Sequence, residues 1–466
     1  MHEDITNFSI KQLQDLGASY AEARLEDVKG SAYVIKNGNV EVSGFDRVIG
    51  LGLRYIVNGN LGFVAINNFN KEKVLTLIKK SFNFTKSSKN LGYKTKLSEE
   101  KTVKANYKVK QKLKLDSVSP EEKIKFVLDI DKEINKKYFR YFSLNDSIIK
   151  KYYINSEGTK IISEIPRVNF YYYITVILNN KSMQRYLPYG NSGGWEVIKK
   201  WNLKNNLLNE IKALENTLRH GIRPPKGKID VVVGPEVTGI ASHEGVGHPY
   251  EADRILGREA AQAGESFVNP NMIGYKIGSD VVNLVDDPTV EGSNGFYLYD
   301  DEGVKARRRF LIKNGKIAEL LHNRETAAEL GMQSNGSSRA SDYNKESLVR
   351  MSNTFVLPGD YKEEELFENI KLGVYMKNFM EWNIDDKRFH QKYTGAEAYL
   401  IKNGKISHPV INPVLEITTP ALWNSVDALS NKIEFVAGSC GKGEPMQGIP
   451  VWFGGPAMRL RNVIMR

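Results

Sequence analysis

Apolar and polar positions alternate with different periods along the chain, and these periods predict its elements. Ile10, Leu13, Leu16 and Ala21 fall near helical spacing, so residues 5–27 are expected to form an amphipathic helix. Residues 31–66 then alternate, and Asn37-Gly38 and Asn58-Gly59 sit between their β-rich runs as hairpin turns. The helical period returns in NKEKVLTLIKKSFNF (70–84). A lysine-rich connector follows, and then PEEKIKFVLDIDKEINK (120–136), which opens with proline and acids as a helix start should. From 137 to 188 the runs KYFRYFSL, KKYYINSEG and NFYYYITVIL, broken at SEG and NNK, predict successive antiparallel strands. A further helix is expected over 195–220.

RPPKGK (223–228) is the clearest boundary, and the strand IDVVVG follows it. Beyond it lie short runs separated by Gly, Asn and Pro. LIKNGKIAEL (311–320) and LIKNGKISHP (400–409) each read as strand, Asn-Gly turn, strand. The expected fold class is α+β. Residues 1–222 form an N-terminal domain of helices on an antiparallel sheet, and residues 223–466 a mostly β C-terminal domain.

Composition narrows the function classes. A chain of 466 residues with 41% hydrophobic content supports two domains and an ample core. Its single cysteine excludes an intramolecular disulfide and fits a reducing compartment. The start lacks an apolar signal region, and no stretch approaches a spanning length, so a cytoplasmic protein with no membrane partner is expected. The net charge is +11, and residues 71–113 carry thirteen lysines against three glutamates. With little arginine and few aromatics, this run reads as a solvated face or connector, and a nucleic-acid partner is not expected. The tyrosines of 137–188 read as half-buried sheet rather than a platform for stacking bases.

The chemistry lies in ASHEGVGHPYEAD, which holds His243, Glu244 and His248, and in AGSCGKGEPMQG, which holds the sole cysteine, Cys440. Two imidazoles and a thiolate are a ligand set for catalytic zinc with one open position. A glutamate beside the first histidine is where a zinc hydrolase keeps its general base. The spacing differs from the usual i, i+4 pair. Histidines at i and i+5 stand roughly 140° apart on an ideal helix, so a straight α-helix cannot aim both at one ion. An i→i+5 step would align them, and Gly245 and Gly247 make that distortion cheap. Pro249 biases His248 away from α geometry, so a short or kinked helix is expected. His2 is terminal, His220 caps a helix or faces solvent, His322 either approaches the site or has a structural role, and His390 and His408 lie in loops with no second ligand at metal spacing. Glu251, Asp253, Asp300, Asp301 and Glu302 are candidates to orient the imidazoles, or equally turn acids and caps.

These blocks resemble the TldD/PmbA family. GPEVTGIASHEGVGHPYEAD (234–253) is similar to the signature of its TldD branch. VVNLVDDPTVEGSNGFYLYDDEGV (281–304), LIKNGKIAELLHNRETAAELG (311–331), TGAEAYLIKNGKISHPV (394–410) and GSCGKGEPMQGIPVWFGGPAM (438–458) follow in family order. ASYAEAR (18–24) and GLGLRYIVNGNLGFV (50–64) resemble its opening blocks. The resemblance implies a zinc-dependent peptidase acting on short or unfolded peptides inside an enclosed dimer. His243, His248 and Cys440 would hold Zn2+, and Glu244 would be catalytic. The implied partner is a PmbA (TldE)-like paralogue, or a second copy in a homodimer. Two rival readings are a non-catalytic zinc-binding subunit and a nucleic-acid-associated modulator using 71–113. Pro249 departs from the family pattern, and QSNGSSRASDYNKES (333–347) matches it only loosely.

Overall fold

The computed structural model describes residues 3–88, 93–259 and 264–466. The first half is built on one long sheet. Strands β1 (Tyr20–Lys36), β2 (Asn39–Val57), β3 (Asn60–Ile66), β4 (Lys104–Lys108), β5 (Phe139–Asn155) and β6 (Lys160–Leu178) run in the spatial order β3-β2-β1-β5-β6-β4, and β7 (Lys181–Ser192) also pairs with β6. All pairings are antiparallel except β4 with β6. The Asn-Gly turns fall as expected. Asn37-Gly38, Asn58-Gly59, Asn314-Gly315 and Asn403-Gly404 all have positive φ at both residues, the geometry of a tight hairpin.

Four helices cover one face of this sheet. α1 (Glu3–Asp15) and α2 (Lys71–Ser87) pack Leu13, Val74, Ile78 and Phe82 against Ala23, Leu25, Leu53 and Tyr55. α3 (Pro120–Asp131) and α4 (Leu203–His220) pack Val127, Leu207 and Ile211 against Ile35, Phe142, Phe170 and Tyr172. α3 starts in a capping box closed by Ser119 and Glu122.

Two sequence expectations are corrected. The helix expected over 5–27 stops at Asp15, and Tyr20 begins β1. Ala, Glu, Arg and Leu are good helix formers, but Ala21, Ala23 and Leu25 point to the helix layer while Glu22, Arg24 and Glu26 point the other way. Both faces of this stretch are covered, so tertiary context outweighs propensity. α2 matches the helix expected over 70–84, but the lysine-rich stretch after it is not wholly a connector, because it contains β4. Every described lysine in it is exposed, as a solvated face requires.

The opposite face of β1, β2 and β5 meets the second half of the chain through buried ion pairs. Arg54 Nε lies 2.8 Å from Glu22, and its terminal nitrogen pairs with Glu302. Lys151 lies 2.7 Å from Asp301, and Arg24 donates to the carbonyls of Asp342 and Lys345. The loosely matching 333–347 stretch thus docks here, where Tyr343 leaves no room for a side chain at Gly50 or Gly52.

The second half is mostly β. A nine-stranded sheet centres on β8 (Gly227–Val233), which pairs in parallel with Leu372–Met376 and antiparallel with Met458–Met465. A six-stranded sheet ends in the hairpin of Glu434–Lys442 and Gln447–Gly455. One large core joins both, from Ile229 to Met465. The short helix α5 (Pro235–Ser242) leaves β8 and packs on Gln447–Gly455. No described helix is long and apolar enough to cross a membrane.

Candidate metal centre

α5 delivers the motif. Gly234 follows β8 as the cap of α5, and Pro235 occupies the first turn, where its missing N–H costs nothing. Arg185 of β7 fixes this end, bonding Glu236 of α5 at 2.8 Å and Glu210 of α4 at 2.7 Å. At His243 the helix widens to a π turn over His243–Gly247, and the His248 N–H donates to the His243 carbonyl. A tight turn over His248–Tyr250 follows, with Pro249 inside it. The i→i+5 step expected from the spacing is present. Gly245 and Gly247 serve a further need, room. A Cβ on Gly245 would lie 2.3 Å from Gln391 Nε2, and one on Gly247 would lie 1.8 Å from Met351 Sδ.

The π turn brings the two imidazoles to a ring-centroid distance of 5.0 Å. Cys440 arrives from the edge strand Glu434–Lys442, and its Sγ lies 3.4 Å from His248 Nε2. One ligand atom from each of His243, His248 and Cys440 lies within 4.8 Å of the others, and all three residues are buried. Ligand atoms of a tetrahedral zinc with bonds of about 2.0–2.3 Å stand roughly 3.3–3.8 Å apart, so a small contraction completes the set. His243 Nδ1 is buried without a hydrogen-bond partner among the described residues. No fourth His, Cys, Asp or Glu among the described residues joins the group.

Electrostatics prepare these atoms for a cation. Burial lowers the His243 pKa against the pull of Glu244 and Glu251, which favours the neutral, ligating form. Burial pushes the Cys440 thiol up, but His248 and Arg350 outweigh it and hold the pKa below the ordinary value. Glu251 is fully buried, and its Oε2 lies 3.0 Å from His248 Nδ1, leaving Nε2 to face Cys440. Its carboxyl is held well below the usual range, because Lys442, His248 and Arg254 outweigh its desolvation. Lys442 Nζ also reaches Asp253 at 2.7 Å and Glu259 at 3.4 Å. Cys440 and Lys442 share a strand face because side chains alternate, so the CGK block aims thiol and ammonium together.

The other candidates sort plainly. Asp301 and Glu302 pair with Lys151 and Arg54, and Asp300 accepts from backbone N–H groups of Glu302, Val304 and Ser338. His322 is buried against Thr326 and outside the metal group, while His220, His390 and His408 are exposed.

A cavity of about 330 Å³ opens on the centre, lined by His243, Glu244, His248 and Cys440, by Phe379, Trp382 and Arg388, and by Tyr186 and Pro188 of β7. Arg388 was not legible in the sequence. It sits in the hairpin turn between Phe379–Ile384 and His390–Gly395, and its Nη1 donates to Glu244 Oε2 at 2.6 Å. A buried His-His-Cys set with a glutamate beside it on a cavity wall defines a metallohydrolase.

Models of the PmbA/TldA metallopeptidase match 21–83 (domain 1), 113–218 (central domain) and 226–465 (C-terminal domain). The chain belongs to this family, the one its sequence blocks resemble, and it is a metallopeptidase. It is 33% identical over 460 residues to a metalloprotease of Methanocaldococcus jannaschii, covering 97% of each chain. It is 27% identical to a zinc metalloprotease TldD homolog of Saccharolobus solfataricus, covering 97% of this chain and 98% of that one. The crystal structure of TldE from Thermococcus kodakarensis shares its fold, with TM-score 0.77 and 17% identity over 100% of this chain and 99% of that one.

Proposed function

We propose that this chain is a catalytic zinc subunit of the TldD kind, hydrolysing peptide bonds of short or unfolded peptides in the cytoplasm. One observation carries the reading. Among the described residues His243, His248 and Cys440 converge without a fourth protein ligand, and Glu244 stands beside them on the wall of an open cavity. Structural zinc sites are closed by four protein ligands, while catalytic ones keep a position free. His243, His248 and Cys440 would hold the ion. Zinc supplies Lewis acidity there, polarising the peptide carbonyl and acidifying water.

The protein's own groups do the rest. Glu251 fixes the tautomer and orientation of His248. Arg388 holds Oε2 of Glu244, and Oε1 has no hydrogen-bond partner among the described residues. Oε1 accepts a proton as a water oxygen adds to the carbonyl carbon. Glu244 then hands that proton to the departing nitrogen as the C–N bond breaks, giving a carboxylic acid and an amine, between which the acid proton then passes. The partner in this reading is a PmbA/TldE-like paralogue, or a second copy of the chain.

Two substitutions separate the roles. Glu244→Ala should lower peptide hydrolysis by about 10²–10⁴-fold while zinc content stays stoichiometric. Cys440→Ser should lose zinc and activity together. Metal analysis and a fluorescent peptide assay, with and without chelator, read both. Full turnover in Glu244→Ala, or undiminished zinc in Cys440→Ser, would overturn the mechanism.

A further inference from the structure

Ten of the eleven non-glycine residues with positive φ among the described residues are asparagines, the usual choice for left-handed turns. The eleventh is Arg388, with φ of 65°. A long charged side chain gains nothing from that backbone conformation, so the surrounding structure must hold it there. It does. The Arg388 N–H donates to the Asp385 carbonyl at 3.0 Å, and Thr419 Oγ1 donates to the Arg388 carbonyl at 2.8 Å. The next residue is pinned too. Its N–H donates to Asp385 Oδ1 at 2.7 Å, and its ring meets Phe267 edge-on at 5.5 Å.

This turn sends the guanidinium into the metal cavity. Only one of its nitrogens is engaged among the described residues, Nη1 on Glu244. Among the described residues, Nε is buried without a partner and Nη2 has none either. The side chain is 12% exposed. A guanidinium that spends one donor on the base and keeps others free is suited to a second anion, one absent from the resting site.

We propose that Arg388 stabilises the negative charge that forms on the substrate carbonyl oxygen, which makes it a catalytic residue. The inference rests on the peptidase reading above. As water adds to the carbonyl carbon, the C=O π pair moves onto oxygen, and that oxygen lies beside the water that Glu244 deprotonates. Arg388 is bonded to Glu244, so its free N–H groups stand within reach of this oxygen. A fixed donor in a water-poor cleft costs no reorganisation as the charge forms. The same contact keeps Glu244 in place between turnovers.

The test uses zinc-loaded enzyme and a phosphinic peptide, whose tetrahedral anionic phosphinate replaces the scissile amide. Arg388→Asn suits the left-handed backbone and removes the guanidinium; Arg388→Lys keeps a charge. In Arg388→Asn, kcat should fall about 10²–10³-fold, with KM within about threefold. Phosphinate affinity by calorimetry should fall by a similar factor, because a transition-state mimic tracks the lost stabilisation. Zinc content and the unfolding midpoint should be unchanged. Arg388→Lys should fall between the two, and added guanidinium ion should restore part of the Asn variant's kcat. Wild-type kcat in Arg388→Asn, unchanged phosphinate affinity, or loss of zinc in that variant would overturn the proposal. Wild-type enzyme that cleaves no peptide would instead strike at the peptidase reading itself.

Discussion

Removing the Glu251 carboxylate tests how far the centre depends on residues that never touch substrate. Its Oε2 serves three groups at once: His248 Nδ1 at 3.0 Å, Lys442 Nζ at 3.1 Å and Arg254 Nε at 3.5 Å. Losing an outer partner of a ligating histidine typically weakens metal binding about 10–100-fold, which is about 1.4–2.7 kcal/mol. Glutamine keeps the volume and one acceptor oxygen for the His248 N–H, so Glu251→Gln belongs at the lower end. Alanine keeps neither, so Glu251→Ala belongs at the upper end. The fold should also suffer. Breaking a buried pair costs about 3–5 kcal/mol when a charge is left alone. Here Lys442 keeps Asp253 and Glu259, so Glu251→Ala should sit near the bottom of that range. Competition with a chromogenic chelator gives the zinc affinity, and denaturant unfolding of metal-free protein gives the stability. If both variants bind zinc within about twofold of wild type, Glu251 does not orient His248 and the argument fails.

Two other expectations follow from the same packing. Gly247→Ala should lower stability by about 1–3 kcal/mol and displace His248, because the new methyl enters the fully buried Met351. Met351→Ala in the same chain should recover part of the loss in zinc content and unfolding midpoint, and no recovery would refute the steric account. His322 is pushed down to about 4 by burial, so the unfolded chain takes up that proton first as pH falls. Its contribution is intact above its ordinary pKa near 6.5 and should be lost between there and about pH 4, up to about 3 kcal/mol. Unfolding of His322→Gln across this window should show a shallower slope, and an unchanged slope would refute the assignment.

The convergence of His243, His248 and Cys440 was legible because chemistry confines it. One cysteine, one close histidine pair and glycines between the histidines leave few arrangements, and the angular mismatch of His243 and His248 foretold the π turn. The Asn-Gly hairpins were legible because two successive positive-φ residues suit almost nothing else. The first strand was misread because Arg24 is satisfied by Asp342 and Lys345, some three hundred positions later, and Glu22 and Glu26 by Arg54 and Lys151 on neighbouring strands. Neither period nor propensity carries that information. Arg388 escaped for a related reason. Its turn reads DDKR, an ordinary charged loop, and only the pairing of the nine-stranded sheet lays it on Glu244. Lys442 was within reach: two residues beyond Cys440 on a strand, it had to share the thiol's face.

The ionic contact between the long sheet and the second half has a consequence for the shape of the cleft. The cavity takes Tyr186 and Pro188 from one side of that contact and His243, His248 and Cys440 from the other. Two oily surfaces can slide by a fraction of a side chain at little cost. Arg54 between Glu22 and Glu302, and Lys151 on Asp301, cannot, because sliding would strand charges in a dry interior. These pairs act as dowels. They set the gap between the walls far from where a substrate lies, so a charge removed there would change what fits in the cleft without altering a single atom of its lining.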